Sequence, residues 1–315
     1  MATAITNPKR SIPLYKAQTI YEGQEQILIR ELEQNQRQFG EEHINVAISL
    51  NNLAELYRNQ GRYSEAKPLY LQSLKLITKL LGEENQYMAI ILNNLAGLYM
   101  DQGRYSEAEP LYLQSLELEK KLLGEEHTDV ATSLNNLAEL YRNQGRYSEA
   151  EPLYLQSLEL RKKLLGENHP DVAASLNNLA LLYMNQGKYS EAEPLYLQSL
   201  ELTKKLLGEN HPDVATGLNN LAGLYDKQGR YSEAESLYLQ SLELIKKLLG
   251  ENHPYMALLF NNLAGLYMDQ GRYSEAEPFL KQSLELTKKL LGENHPQTMI
   301  LKQNYELLQQ KMESN

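Results

Sequence analysis

Cysteine is absent from this 315-residue sequence, which excludes disulfides, thiolate metal sites and a thiol nucleophile. A basic surplus is absent as well. The formal charge is −10, and the chain lacks the basic stripe with which nucleic-acid binders displace counterions. No run of about eighteen apolar residues occurs, so no membrane-spanning helix is expected. The opening residues, MATAITNPKRSIPLYK, hold no apolar stretch resembling a signal peptide. These absences lead to the expectation of a cytoplasmic protein that binds neither nucleic acid nor membrane.

The chain is instead dominated by repetition. An Asn-Asn pair returns every 42 residues, at Asn51-Asn52, Asn93-Asn94, Asn135-Asn136, Asn177-Asn178, Asn219-Asn220 and Asn261-Asn262. Around it, a block reading SLNNLAELYRNQGRYSEAEPLYLQSLEL recurs almost letter for letter. A repeat that never drifts in phase predicts a solenoid, in which each unit buries its apolar face against its neighbours.

Residues 128–169 show the unit. Val130, Leu134, Leu137, Ala138 and Tyr141 fall at helical spacing and predict a first helix ending near Gln144-Gly145. Ser148 is expected to cap a second helix, with Glu151 completing a capping box and Pro152 in the first turn. That helix runs through Leu153, Tyr154, Ser157 and Leu158 to Gly166, with Arg161, Lys162 and Lys163 suited to its C-terminal dipole. Residues 21–39 read as an eroded second helix and 296–311 as an eroded first helix, both enriched in polar residues as solenoid caps require. The expected layout is a flexible tail over 1–15, an N-terminal cap over 16–40, six repeats over 41–292, and a C-terminal cap and tail over 293–315. Fourteen helices are expected.

The series Leu134, Leu137, Ala138, Tyr141, Gly145, Tyr147, Ala150, Tyr154 resembles the tetratricopeptide repeat. The 42-residue period and the phrases LGENHPDVA and LNNLAELY are similar to the kinesin light chain branch of that family. The resemblance spans about residues 21–311 and implies an all-α right-handed superhelical solenoid of stacked helix-turn-helix repeats. The chain has no heptad coiled coil ahead of the repeats, so association with a kinesin motor is not implied.

Comparing the six copies separates packing from recognition. Leu53, Ala54, Leu56 and Tyr57 are invariant among the units, whereas the positions of Ile48, Glu55, Arg58 and Asn59 vary. Positions 48, 52, 55 and 59 share one helical face. The resemblance implies that this face lines a concave groove and holds an unstructured segment of a partner. The expected contacts are the second asparagines, Asn52, Asn94, Asn136, Asn178, Asn220 and Asn262, whose amides both donate and accept. Arg58, Met100, Arg142, Met184, Lys227 and Met268 would add selectivity. The alternative is that the asparagines tie neighbouring repeats together. Gly97, Gly223 and Gly265 each cost about 1 kcal/mol inside a helix relative to alanine, which suggests room left for a ligand. Charge along the face is mixed, with Glu55, Asp101, Glu139, Asp226 and Asp269 among the basic residues, so a weakly polar or mixed-charge peptide is expected.

No chemistry competes with this reading. His43, His127, His169, His211, His253 and His295 occupy equivalent loops, too far apart to share an ion, and a helix-start role is expected of them. The tyrosine ladders read as packing. No histidine sits at a spacing that would activate the recurring serines, and no phosphate loop is present. The sequence thus predicts a non-catalytic interaction scaffold without cofactor or metal. Two alternatives stay open: a self-associating structural solenoid and a regulatory module of a partner enzyme.

Overall fold

The computed structural model describes residues 18–293 and 295–313, the first five of them as backbone. The expected tail over residues 1–15 lies outside the described residues. Among the described residues there are fourteen α-helices: α1 Gln18–Phe39, α2 Ile44–Asn59, α3 Tyr63–Leu81, α4 Gln86–Asp101, α5 Tyr105–Leu123, α6 Thr128–Asn143 and α7 Tyr147–Leu165. They continue as α8 Pro170–Asn185, α9 Tyr189–Leu207, α10 Pro212–Lys227, α11 Tyr231–Leu249, α12 Pro254–Asp269, α13 Tyr273–Leu291 and α14 Pro296–Glu313. Residues 19–186 form one compact unit, and residues 187–313 belong to a second. Within each, consecutive helices from α2 to α8 and from α9 to α14 pack against one another, giving stacked helix-turn-helix repeats. Even-numbered helices from α2 to α12 are the first helix of a repeat (helix A), and the odd-numbered partners are helix B.

Local chemistry sets the helix boundaries. Helix A stops where glycine turns left-handed: Gly61 has φ +74°, and Arg62 N–H returns to the Tyr57 carbonyl at 2.8 Å, which is a Schellman closure. Helix A starts on a histidine in most repeats. In His127 the imidazole Nδ1 accepts from Asp129 N–H at 3.1 Å, and His43, His169, His211, His253 and His295 do the same two residues on. Asn85 serves in the second repeat, accepting from Met88 N–H.

Helix B departs from expectation. Its cap lies two residues earlier than Ser148: the helix begins at Tyr147, and Arg146 is the N-cap without a side-chain cap bond. The guanidinium instead reaches forward to both Glu149 carboxylate oxygens, at 2.7 and 2.6 Å. A charge-assisted fork outcompetes a neutral hydroxyl at this position, so Ser148 stays exposed.

Each hairpin is closed by small residues. Ala138 and Ala150 are fully buried where helices A and B meet. The Ser157 hydroxyl, also fully buried, donates to the Ala131 carbonyl at 2.6 Å, and Ser73, Ser115, Ser241 and Ser283 repeat this bond. Between hairpins, Arg146 donates to Glu109 of the preceding helix B at 2.7 Å and lies over the Tyr141 ring. Arg62, Arg230 and Arg272 make equivalent bridges.

Candidate functional site: the helix A face

The Asn-Asn pairs form a ladder. The second asparagine of one repeat donates its Nδ2 to Oδ1 of the first asparagine in the repeat before. Asn94 bonds Asn51 at 3.1 Å, Asn136 bonds Asn93 at 3.0 Å, and Asn178 bonds Asn135 at 3.0 Å. In the second unit, Asn262 bonds Asn219 at 2.8 Å. Within two repeats the first asparagine also donates to its own neighbour, Asn51 to Asn52 and Asn219 to Asn220. The pairs therefore tie repeats together, and the second asparagines still keep part of their surface in solvent. The next rung would join Asn261 to Asn304, but Asn261 Oδ1 and Asn304 Nδ2 are both buried without a partner.

The other face residues separate by burial. Met100 and Met268 are buried, Met184 is half-buried and Lys227 is exposed. Arg142 is 7% exposed and donates to Glu139 and Asn143. Arg58 reaches into the following repeat, where its Nε lies 2.7 Å from Asp101 Oδ2. Burial opposes its charge, but Asp101 overrides that penalty and raises the guanidinium pKa.

The helical glycines at one register position differ in what surrounds them. At Gly97 an added Cβ would stand 2.7 Å from Arg58 Nη1, so this glycine admits the chain's own arginine. At Gly223 an added Cβ would meet only the Tyr238 hydroxyl, at 3.5 Å, and at Gly265 it would meet nothing within 4 Å. Beside these two, Lys227 Nζ lies 3.5 Å from Asp226 and 3.8 Å from Asp269. Burial raises the Asp226 pKa above the usual carboxylate range, Lys227 pulls it down and Asp269 pushes it up.

Two buried charges escaped the sequence reading. Glu119 and Arg161 occupy the same register of helix B, 6% and 7% exposed. Other repeats place Ile77, Thr203, Ile245 or Thr287 there. Arg161 is satisfied by Ser175 Oγ and the Asp171 carbonyl. Glu119 Oε2 has no partner, and burial pushes its carboxyl up to about 7, against the lowering influence of the Ser133 and Ser115 hydroxyls. Charged residues at a register that otherwise holds only isoleucine or threonine were the available signal. Among the described residues, no group of three acidic, histidine or cysteine side chains is placed to hold a metal. No described helix is long and apolar enough to cross a membrane.

Family models described as tetratricopeptide repeat match residues 25–79, 87–163, 129–189, 171–247 and 213–264, and a second such model matches 257–297. The chain belongs to the tetratricopeptide repeat family. Among solved structures it is similar to BtubC (BKLC) from P. vanneervenii, at 26% identity and TM-score 0.61, covering 73% of this chain and 92% of that one. It is also similar to a kinesin light chain candidate of Podosopora anserina with nearly identical TPR-like repeats. That match has 30% identity and TM-score 0.55, over 66% of this chain and 99% of that one. Kinesin light chain-like repeat proteins are thus homologous to it. A tetratricopeptide protein from Parabacteroides merdae shares the fold at 20% identity and TM-score 0.60, over 92% and 98% of the two chains. No curated protein is significantly similar to the sequence.

Proposed function

We propose that this chain is a non-catalytic adaptor that captures an extended segment of a partner protein along the helix A face. Tetratricopeptide proteins generally serve as protein–protein interaction scaffolds, and the helix A face is where the six repeats differ most. The observation that carries the reading is the bare surface at Gly265, where a helix gives up side-chain contacts and none of the described residues comes within 4 Å of an added Cβ. Asn52, Asn94, Asn136 and Asn178 stand on helices A of the first unit, and Asn220 and Asn262 on helices A of the second. In this reading the amides of Asn94, Asn136, Asn178 and Asn262 have a double role: one hydrogen holds the preceding repeat, and the solvent-facing remainder meets ligand backbone.

The test is a random-peptide display selection on the monomeric protein and on a variant carrying Ala174→Trp and Gly265→Trp. Both substitutions fall where side chains have room: Ala174 is exposed and Gly265 is open. The reading expects a shared motif from the parent alone, with melting temperatures alike. Absence of any motif from folded parent, or the same motif from both, would count against it. Self-association is the second reading, favoured by the unmade rung at Asn261 and Asn304. A sedimentation profile that shifts to dimer with concentration would support it.

A further inference from the structure

Two stretches of the chain are identical over eighteen residues, 93–110 and 261–278, and each presents a glycine and an aspartate one turn apart: Gly97 with Asp101, and Gly265 with Asp269. In the first, the recess is occupied. The Arg58 guanidinium from the preceding repeat lies over Gly97, within 2.9 Å of where a Cβ would be, and bonds Asp101. Asp101 is left with 7% of its side chain exposed. In the second, the residue equivalent to Arg58 is Asp226, so no guanidinium enters. Gly265 is bare and Asp269 is 52% exposed.

The empty recess has polar groups waiting in it. Tyr238, equivalent to Tyr70, is 4% exposed. Its hydroxyl makes no hydrogen bond to the described residues and sits 3.5 Å from the place of a Gly223 Cβ. Asp226 Oδ1 is buried without a partner. Leu280 replaces the tyrosine found at Tyr112, which removes another polar tip from this region. Lys227 bridges the two carboxylates from the solvent side with 54% of its side chain exposed. Two acids against one ammonium leave one negative charge in the second recess, the balance that Glu55 and Asp101 leave against Arg58 in the first.

We propose that the Gly265 recess on α10 and α12 recognises an arginine side chain carried by an extended segment of a partner protein. The guanidinium would take the place over Gly265 and Asp269 that Arg58 takes over Gly97 and Asp101, with Asp226 as second acceptor. A planar fork of donors suits two carboxylates better than an ammonium does, so arginine is selected over lysine. This rests on the helix A face being the capture surface, and names what one part of it reads.

The experiment uses the ¹⁵N-labelled full chain titrated with N-acetyl-arginine amide, following the Gly223 and Gly265 amide resonances. The neutral isostere N-acetyl-citrulline amide is the control. Saturable shifts at both glycines are expected, with citrulline about tenfold weaker for loss of the charged hydrogen bonds. Asp226→Arg should abolish the response by filling the recess from within, as Arg58 does. Asp269→Asn, an exposed and conservative change, should weaken it about tenfold. No saturable shift, equal response to citrulline, or an unchanged response in the folded Asp269→Asn protein would overturn the site. Arginine-independent capture of displayed peptides on the same face, with these glycines silent, would sink the arginine site and leave the adaptor reading standing. A saturable arginine response without any captured peptide would do the reverse.

Discussion

At the scale of single residues, the repeats act as internal controls on one another. Each helix B from α3 to α13 is preceded by an arginine or lysine, and the odd-numbered helix before it offers a glutamate to that position at Glu25, Glu109, Glu193 and Glu235. Lys67 breaks the series. Its ammonium and the Arg104 guanidinium both lie over the Tyr99 ring, so two cations share a place meant for an ion pair. Lys67→Glu should restore the bridge and stabilise the protein by about 0.5–1 kcal/mol, since such partly exposed pairs are worth little more. Thermal melts at low and high salt check this, with a gain that shrinks as salt rises.

Glu119 gives a pH prediction. Its carboxyl is held up at about 7 by burial, so the folded state binds its proton more tightly than the unfolded chain does. Stability from this group is fully present below the ordinary carboxylate range and is lost as pH rises through about 7. Glu119→Gln should remove that slope and be more stable than the parent at pH 8, by roughly 2 kcal/mol. Denaturant midpoints at pH 5 and pH 8 for both proteins measure it; parallel curves would refute the burial argument.

At the scale of elements, helix pairing depends on one buried hydroxyl per hairpin. Ser157→Ala leaves volume nearly unchanged but removes the bond to the Ala131 carbonyl. The expected cost is about 1 kcal/mol, read as a lower denaturant midpoint with unchanged helicity. Most of this level was legible in the sequence. Period, glycine stops and the histidine starts follow from local chemistry, and local chemistry is what a sequence displays. The start of helix B was misjudged because Arg146 competes with Ser148 for the same turn, and the winner depends on Glu149 being reachable from the cap.

For the molecule as a whole, stacked tetratricopeptide repeats follow from a phase-locked period in which no unit can bury its face alone. The candidate site was less legible. That an amide ladder runs between repeats, and that Arg58 enters the next repeat over Gly97, depends on how consecutive hairpins are offset in space. Sequence spacing does not contain that offset, so the second asparagines read first as ligand contacts and only alternatively as ties. The structure shows the ties; the adaptor reading assigns ligand to the surface they leave open.

The most direct test of that central claim is amide hydrogen exchange on the protein with and without a saturating display-selected peptide. The account predicts added protection in helices A, foremost in α10 and α12 around Gly223 and Gly265, with helices B unchanged. Protection concentrated in helices B, with α10 and α12 unaltered, would contradict it.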